Sequence, residues 1–243
     1  IIENTPEQVD LACEILTIPD KIRKSRLLPF RFASAYSEVE KLGKGKSASM
    51  IQFESEDKKS IVEKVLAALE TAMNIACENI PKLEGNTAIL IDHSGSMRGD
   101  HGGSSKVSVF SKTDTADIAN LFGCMLMQTQ DNVYMGLFGD RLISVDSIDR
   151  TKGILKNHSE INLKGSGVGP SSEHGLFVFL ADAIKNKVRI DNLVIFSDMV
   201  IGTNHWYGNS VVGGYSTDKY MSSGNNVFHD LLKDFRKVNP QCN

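Results

Sequence analysis

Several features that define common classes of protein are scarce or absent in this sequence. No apolar run approaches the roughly 18 residues that a membrane-spanning helix needs, and no signal peptide opens the chain. The formal net charge of −3 creates no general attraction to nucleic acid, so any RNA binding has to come from a local basic patch. We therefore expect a globular protein of the cytoplasm that has no membrane partner.

Cysteine and histidine are also few, and their spacing excludes several kinds of site. The four cysteines form no C-x-x-C pair, and three of them lie in apolar helical contexts, which predicts buried thiols in a reducing compartment. The six histidines show no spacing such as His-x-x-x-His, which argues against a metal hydrolase. The stretch 43–49 lacks both the full Gly-x-x-x-x-Gly-Lys-Ser/Thr pattern and a preceding strand, so we interpret it as a linker.

A strand that ends in one acid and two hydroxyl residues is the most informative stretch of the chain. Residues 87–91 carry no charge and are typical of a central parallel strand that is covered on both faces. Asp92, Ser94 and Ser96 then follow at its carboxyl end, where open α/β sheets place their ligand sites. A carboxylate with two hydroxyls suits Mg²⁺ or Mn²⁺ better than zinc or copper. The alternative is an Asx-turn and helix N-cap without a ligand.

The adjacent residues Asp92, His93 and Ser94 have the residue types of a hydrolase triad. Triad members, however, meet in space from separate loops, whereas neighbours in sequence point in different directions. A nucleophile elbow would also need glycine at the position that Asp92 occupies. We expect no nucleophilic catalysis, and no enzyme activity, from this chain.

From residue 86 onward the sequence predicts alternating strands and helices. A second strand is predicted at 132–138, with an edge strand at 141–145 paired to it through a short turn. The strand 192–196 is followed by Ser197 and Asp198, which brings Asp198 to the same sheet edge as Asp92. Helices are predicted at 114–127, with Ile118, Leu121, Phe122 and Met125 inward, and at 174–185 and 227–238; 98–105 and 202–226 are predicted surface loops.

The first part of the chain reads as helices. Residues 1–50 predict short helices, in one of which Phe30 and Phe32 are expected to fill a core, and 55–80 predicts a long amphipathic helix. Positive charge is concentrated in one run, which is either a solvated helix face or a surface that contacts phosphates. Its members are Lys21, Arg23, Lys24 and Arg26.

Two of these stretches resemble known families. The pattern Asp92-x-Ser94-x-Ser96 resembles the metal-ion-dependent adhesion site of von Willebrand factor A domains, and the string at 27–36, Leu-Leu-Pro-Phe-Arg-Phe-Ala-Ser-Ala-Tyr, resembles the end of the TROVE module of Ro autoantigens. The resemblance implies the end of a helical TROVE module at 1–50, a connecting helix at 51–85, and an A domain at 86–243 that is incomplete at its C-terminus. The implied fold is α/β, a doubly wound, mostly parallel, Rossmann-like sheet preceded by an α-helical segment.

The resemblance to A domains also implies the full set of metal ligands. A glycine-rich loop in that family offers a threonine to the ion, but 163–173 contains no threonine, so Ser171 or Ser172 would replace it. Asp198 corresponds to the Thr-Asp or Ser-Asp segment of the family. We therefore expect one Mg²⁺ or Mn²⁺ site built from Asp92, Ser94, Ser96 and Asp198, with Ser171 or Ser172 adjacent.

The resemblance to Ro ribonucleoproteins of the bacterial kind implies RNA as the partner. It implies binding of small structured, Y-like noncoding RNA and of the ends of misfolded RNA, and a part in RNA quality control in which RNA is tethered to nucleases. We expect a fragment of a longer protein whose N-terminal repeats carry most of the RNA-binding surface. The alternative is a metal-dependent protein-interaction module, in which an acidic residue of a partner completes the coordination of the ion.

Overall fold

The computed structural model describes residues 6–25, 27, 29–43, 56–78, 80–99, 105, 113–145, 148–169, 174–198, 211–212, 215–216 and 227–243. Arg26, Ser171, Ser172, the linker at 44–49 and most of the two predicted surface loops lie outside these residues. The chain divides into two compact units. The first comprises Ile1–Ile80 with Arg150–Lys156, and the second comprises Pro81–Asp149 with Asn157–Asn243.

The first unit is helical. Its long helix α4 (Glu56–Cys77) contacts each of the three helices that precede it. One face of α4 is buried because apolar residues such as Val62, Leu69 and Met73 recur at three- and four-residue steps. This agrees with the amphipathic helix predicted at 55–80, although the observed helix ends at Cys77, earlier than predicted. The helices are α1 (Pro6–Thr17), α2 (Pro19–Ser25), α3 (Phe30–Gly43) and α4 (Glu56–Cys77).

The prediction for the start of α3 is correct for one phenylalanine and wrong for the other. Phe32 is 3% exposed, whereas Phe30 is 38% exposed, with the guanidinium of Arg31 lying 5.5 Å from its ring centroid. Residues two apart on a helix differ by about 200° in direction, so both rings cannot face the same core. The aromatic string therefore contributes one core residue here.

A helix that the sequence analysis did not predict, α7 (Ile154–Gly165), begins in the first unit after a 3-10 turn at Arg150–Lys152. The backbone N–H of Leu155 donates to Oε1 of Glu70 on α4 at 2.9 Å. Gly153, with φ +88°, precedes the helix, and a Cβ atom there would overlap the Glu70 carboxyl. The first turn of α7 is thus held by a carboxylate from a distant part of the chain.

The second unit is a mixed α/β structure with a mostly parallel sheet flanked by helices, which confirms the predicted fold class. The strands are β1 (Asn86–Asp92), β2 (Asn132–Phe138), β3 (Leu142–Ser144) and β4 (Asn192–Phe196). The strand order is β3-β2-β1-β4, with β1 pairing parallel to β2 and to β4, and β3 antiparallel at the edge. The helices are α5 (Gly95–Arg98), α6 (Thr115–Thr129), the remainder of α7, α8 (His174–Asn186) and α9 (Val227–Val238).

Both faces of β1 are covered, which explains why this strand carries no charge before Asp92. Ile91 and Met135 lie against α6 at Gly123, where a Cβ atom would overlap the Ile91 side chain. Leu90 and Phe138 belong to a core cluster on the other face, together with buried residues of α8 and α9. Ile89, Leu90 and Ile91 are each 0% exposed.

Two further expectations for this unit are wrong in detail. Phe122, predicted to point inward, is 41% exposed, and its ring stacks on that of Phe196 with centroids 6.4 Å apart. The stretch 202–226, predicted as a loop, includes a short antiparallel pair, β5 (Val211–Val212) with β6 (Tyr215–Ser216). The three helical cysteines are buried as predicted, and no helix in the described part of the chain has the length and apolar composition needed to cross a bilayer.

Candidate metal site

The ends of β1 and β4 place their polar residues side by side. The parallel register sets Ile91 opposite Phe196, so Asp92 and Ser197 follow as neighbours at the carboxyl edge of the sheet. Ser197 Oγ donates to Asp92 Oδ2 at 2.8 Å, and the backbone N–H of Ser94 donates to Asp92 Oδ1 at 2.8 Å. Both carboxylate oxygens are thereby oriented, and each retains acceptor capacity for another partner.

The two hydroxyls of the motif face each other. Ser94 Oγ and Ser96 Oγ are 3.1 Å apart. Neighbouring ligands in an octahedron with metal–oxygen distances of about 2.0–2.1 Å lie about 3 Å apart, so this spacing fits a shared Mg²⁺ or Mn²⁺. The hydroxyl pair is compatible with the expected ion without rearrangement of the turn.

The capping alternative accounts for only part of this arrangement. The bond from the Ser94 N–H to Asp92 is an Asx-type turn contact, as that alternative predicts. Ser94 is also the N-cap of α5, but its side chain makes no capping hydrogen bond. The Ser94 hydroxyl is therefore directed to Ser96 rather than to the first amides of the helix, and a capping role does not explain it.

The electrostatics of Asp92 favour a cation. Its side chain is 0% exposed, and burial is the largest of the causes that raise the pKa of its carboxyl above the ordinary value. The hydrogen bonds from Ser94 and Ser197 oppose this shift, whereas the negative charge of Asp198 adds to it. A divalent ion beside these oxygens would stabilise the ionised form of Asp92, because an opposite charge nearby favours ionisation.

The remaining predicted ligands differ in their placement. Asp198 directly follows Ser197, is exposed, and lies near enough for its charge to affect Asp92. Ser171 and Ser172 lie outside the described residues. The start of their glycine-rich stretch is described, however: Gly169 N–H donates to Asp140 Oδ1 at 2.7 Å, which holds it against the turn after β2.

The composition of the cluster bears on the kind of ion it would hold. Within the described ranges, no group of three or more His, Cys, Asp or Glu side chains could hold a metal. Asp92 and Asp198 bring only two acids to this edge, and hydroxyls supply the other oxygens. Such a donor set suits a hard ion that keeps several waters, and it lacks the nitrogen and sulfur ligands typical of zinc.

The ring nitrogens of His93 contact Asn120 and Arg98 and make no described hydrogen bond to Ser94. Its ring is 0% exposed, Nε2 lies 2.8 Å from Asn120 Oδ1, and Nδ1 lies 2.8 Å from a guanidinium nitrogen of Arg98. Burial, with the nearby Arg98 charge, lowers the pKa of His93 to about 4. Both ring nitrogens are occupied by groups other than a serine hydroxyl.

Sequence reasoning missed two features of this site. Ser197 was recognised as part of a segment that resembles the A-domain family, but not as a partner of Asp92; the register of two parallel strands would have identified it. The contact of His93 with Asn120 had no signal in the sequence, because it depends on how α6 lies against the sheet. The contact of His93 with Arg98 depends on the conformation of the turn between them.

The predicted basic run lies in the first unit, and part of its positive charge is already paired with acidic residues. Arg23 pairs with Glu78 at 2.5 Å and lies 3.7 Å from Asp20, so its charge is compensated within the unit. Lys21 and Lys24 are exposed on α2. Among the described residues of the predicted cluster, these two lysines remain as candidates for phosphate contacts, and the prediction for Arg26 lies outside the described residues.

Comparison with known proteins identifies a similar fold and no similar sequence. No protein-family model matches the chain, and no curated protein matches it in sequence. Among solved structures, the crystal structure of the Ro (RSR) protein of Deinococcus radiodurans is similar over 97% of this chain, with a TM-score of 0.56 and 15% sequence identity. The match spans 40% of the length of that protein. At this identity the likeness establishes the fold.

Proposed function

We propose that this chain is part of a Ro-like RNA-binding protein whose α/β unit carries a site for Mg²⁺ or Mn²⁺. The observation that carries the proposal is the similarity to a Ro protein over 97% of the chain. A mostly parallel sheet alone occurs in many unrelated proteins. Here the matched region includes both the helical unit and the α/β unit, and the resemblance of residues 27–36 to the TROVE module points the same way.

In this proposal the partner is a small structured noncoding RNA of the Y-like kind, or the end of a misfolded RNA. Lys21 and Lys24 would contact phosphates, while Arg23 holds α2 against the end of α4 through Glu78. Phosphate contacts position RNA without reading its sequence, so the surface would accept structured RNAs of different sequence. The chain would act in RNA quality control by binding, without catalysis of its own.

The metal would be held by Asp92, Ser94 and Ser96, with Asp198 and one of Ser171 or Ser172 adjacent. When bound, the ion supplies positive charge and open coordination positions. The exposed side chains of Ser96 and Asp198 indicate that one side of the ion would face solvent. A nuclease or another protein could complete its coordination there.

A filter-binding assay at several KCl concentrations tests the RNA part of this proposal. The double variant Lys21→Ala/Lys24→Ala should bind structured RNAs more weakly by similar factors. It should also lower the slope of log K against log salt by roughly 1.4 to 1.8, because each lost phosphate contact lowers it by roughly 0.7 to 0.9. Arg23 is left unchanged so that its pair with Glu78 is kept.

The matched control replaces two exposed lysines of the second unit, Lys185→Ala/Lys233→Ala. It has the same change in charge and should keep the wild-type slope. If the α2 variant also keeps that slope, the lysines of α2 form only a solvated helix face, and the RNA assignment of this surface is wrong.

The second candidate function is a metal-dependent protein-interaction module. The feature that favours it is the combination of a buried Asp92 with an exposed Ser96 and an exposed Asp198, at which an acidic group of a partner would complete the coordination of the ion. Protein capture that requires Mg²⁺, is lost in EDTA and is lost in Asp92→Asn, together with no RNA binding by the wild type, would favour this candidate over the first.

A further inference from the structure

His93 lies between two predicted metal ligands, yet its side chain turns away from them into the interior. Asp92 and Ser94 present oxygens at the sheet edge, whereas the His93 ring is 0% exposed and is enclosed by groups from other elements. The short turn that would hold the ion is thus also the attachment point of a buried polar network.

The hydrogen bonds of this network have one consistent direction. A guanidinium has no acceptor, so Arg98 donates to Nδ1 of His93 at 2.8 Å. The proton of the neutral ring is therefore on Nε2, which donates to Asn120 Oδ1 at 2.8 Å. Asn120 Nδ2 in turn donates to Asn162 Oδ1. The chain of donors connects the end of α5, the metal turn, α6 and α7.

Gly165 provides a second connection between His93 and the rest of the site. It is the last residue of α7 and is buried, and a Cβ atom built on it would overlap the His93 ring at Cε1 and Nδ1. Gly165 also begins the glycine-rich stretch that leads to Ser171 and Ser172. The His93 ring therefore packs directly against the backbone at the end of α7.

We infer that His93 is a positioning residue that couples the Asp92–Ser96 turn to Gly165 at the end of α7, so that displacement of either one changes the affinity of the site for its ion. This inference rests on the metal site of the proposed function and extends it to its regulation. Groups that orient metal ligands from behind typically change metal affinity by about 10- to 100-fold when they are lost.

The variant Gly165→Ala tests this coupling directly. The added methyl group would push the His93 ring and, through it, the metal turn. We expect Gly165→Ala to weaken Mn²⁺ binding by about 10-fold or more, measured by calorimetric titration of the 243-residue chain. In a His93→Ala background the ring is gone, and the remaining close neighbour of the methyl group is the flexible end of Arg98, 3.0 Å away. There the same substitution should change the affinity by less than about 3-fold, since contacting residues are non-additive whereas independent ones add.

Gly169→Ala is the matched control. A Cβ atom at Gly169 would overlap the carboxyl of Asp140, which is not part of the His93 network. Whatever its effect on Mn²⁺ affinity, that effect should be equal in the wild-type and His93→Ala backgrounds. The comparison separates coupling through His93 from a general disturbance of the glycine-rich stretch.

A milder variant covers the case in which Gly165→Ala does not fold. Asn162→Ala removes the side chain that accepts from Asn120 and also contacts His158 at 3.3 Å, while leaving His93, Arg98 and Asn120 in place. It should lower Mn²⁺ affinity several-fold, with a smaller Mn²⁺-induced rise in Tm. Asn186→Ala, which removes an exposed asparagine bonded to Asp182 on α8, should do neither.

The outcomes distinguish this inference from the proposed metal site. Absence of Mn²⁺ binding by the wild-type chain would overturn both. If the wild type binds Mn²⁺, the coupling alone is overturned when Gly165→Ala acts equally in both backgrounds, or when neither Gly165→Ala nor Asn162→Ala changes the affinity.

Discussion

Two aspartates lie at opposite ends of the parallel strands, one at the amino edge of the sheet, where the strands begin, and one at the carboxyl edge, where they end. Their environments are opposite. Asp191 immediately precedes β4, and its carboxylate accepts hydrogen bonds from the Asn86 N–H at 2.8 Å and from the Arg189 side chain at 3.0 Å. These partners, the Asn86 bond first, lower the pKa of Asp191 below its ordinary value. Asp92 follows the buried part of β1 at the other edge, and burial raises its pKa.

The difference follows from what each edge offers to a carboxylate. At the amino edge, the first N–H of β1 and a nearby arginine are both available as donors to Asp191. At the carboxyl edge, Asp92 has hydroxyl and amide partners but is shielded from water, and Asp198 adds a like charge. The amino-edge acid is therefore a structural group, whereas the carboxyl-edge acid has a charge that a bound cation would stabilise.

The largest expected effect is the loss of metal binding on Asp92→Asn. The amide retains the size of the carboxylate and can still accept from the Ser94 N–H, but the charge is gone. We expect the Mg²⁺-induced rise in Tm to disappear. In the wild type, Mg²⁺ at 100 times its Kd should add about 2.7 kcal/mol to the free energy of unfolding. In EDTA the variant should unfold at the wild-type temperature or above, because it no longer buries a charge.

The control for this experiment is Asp131→Asn, which changes an exposed aspartate just before β2, at the amino edge. It should keep the full Mg²⁺-induced rise. Equal heats of Mg²⁺ binding in wild type and Asp92→Asn would remove the proposed metal site and, with it, the contrast between the two edges.

A smaller effect is expected at the amino edge from Gly85→Ala. Gly85 has φ +89°, and a Cβ atom there would overlap the Asp191 carboxyl. The left-handed conformation alone costs a residue with a Cβ roughly 1–2 kcal/mol. We expect destabilisation of at least this size in urea unfolding, with unchanged Mg²⁺ affinity because the change lies at the opposite edge.

Gly167→Ala serves as the comparison for Gly85→Ala. Its added Cβ would lie 3.3 Å from the Lys164 carbonyl oxygen and 3.5 Å from Ile143 Cδ1, without severe overlap, so it should destabilise the protein less. A loss of Mg²⁺ affinity in Gly85→Ala would show that the two edges are not independent.

The smallest expected effect is on the acid stability that Asp191 contributes. Since its folded-state pKa is below the ordinary value of 3.8, its contribution is complete above that pH and is lost as the pH falls through the folded-state value. Asp191→Asn should therefore have a shallower loss of stability in acid than the wild type, measured as Tm between about pH 5 and 2. If the Tm of this variant falls with pH as steeply as that of the wild type, the ionised carboxylate of Asp191 does not stabilise the amino edge.

Much of the fold was predictable because local patterns and tertiary contacts agree. The bounds of β2 and α9 match the predicted 132–138 and 227–238, and β1 is central as its uncharged sequence indicates. Phe122 was predicted wrongly because hydrophobic periodicity gives no weight to glycine. The close approach of α6 to the sheet occurs at Gly123, and the neighbouring phenylalanine is rotated toward solvent.

Helix α7 could not be predicted from its own residues. Its first turn follows Gly153, a residue that has no side chain to cap a helix. Glu70, 85 residues earlier, accepts the hydrogen bond of the Leu155 N–H. A helix whose terminal donors are satisfied from a distant element carries no start signal in its sequence.

The features of the candidate site also fall into those that the sequence predicts and those that only the tertiary structure shows. The sequence by itself determined that a buried strand ends in Asp92, Ser94 and Ser96, because strand-forming apolar residues and a following acid are local properties of the chain. Only the tertiary structure decided that Ser197 orients the Asp92 carboxylate, that His93 points inward to Arg98 and Asn120, and that Gly165 lies against its ring. These contacts depend on strand register and helix packing, which join segments that no local pattern relates.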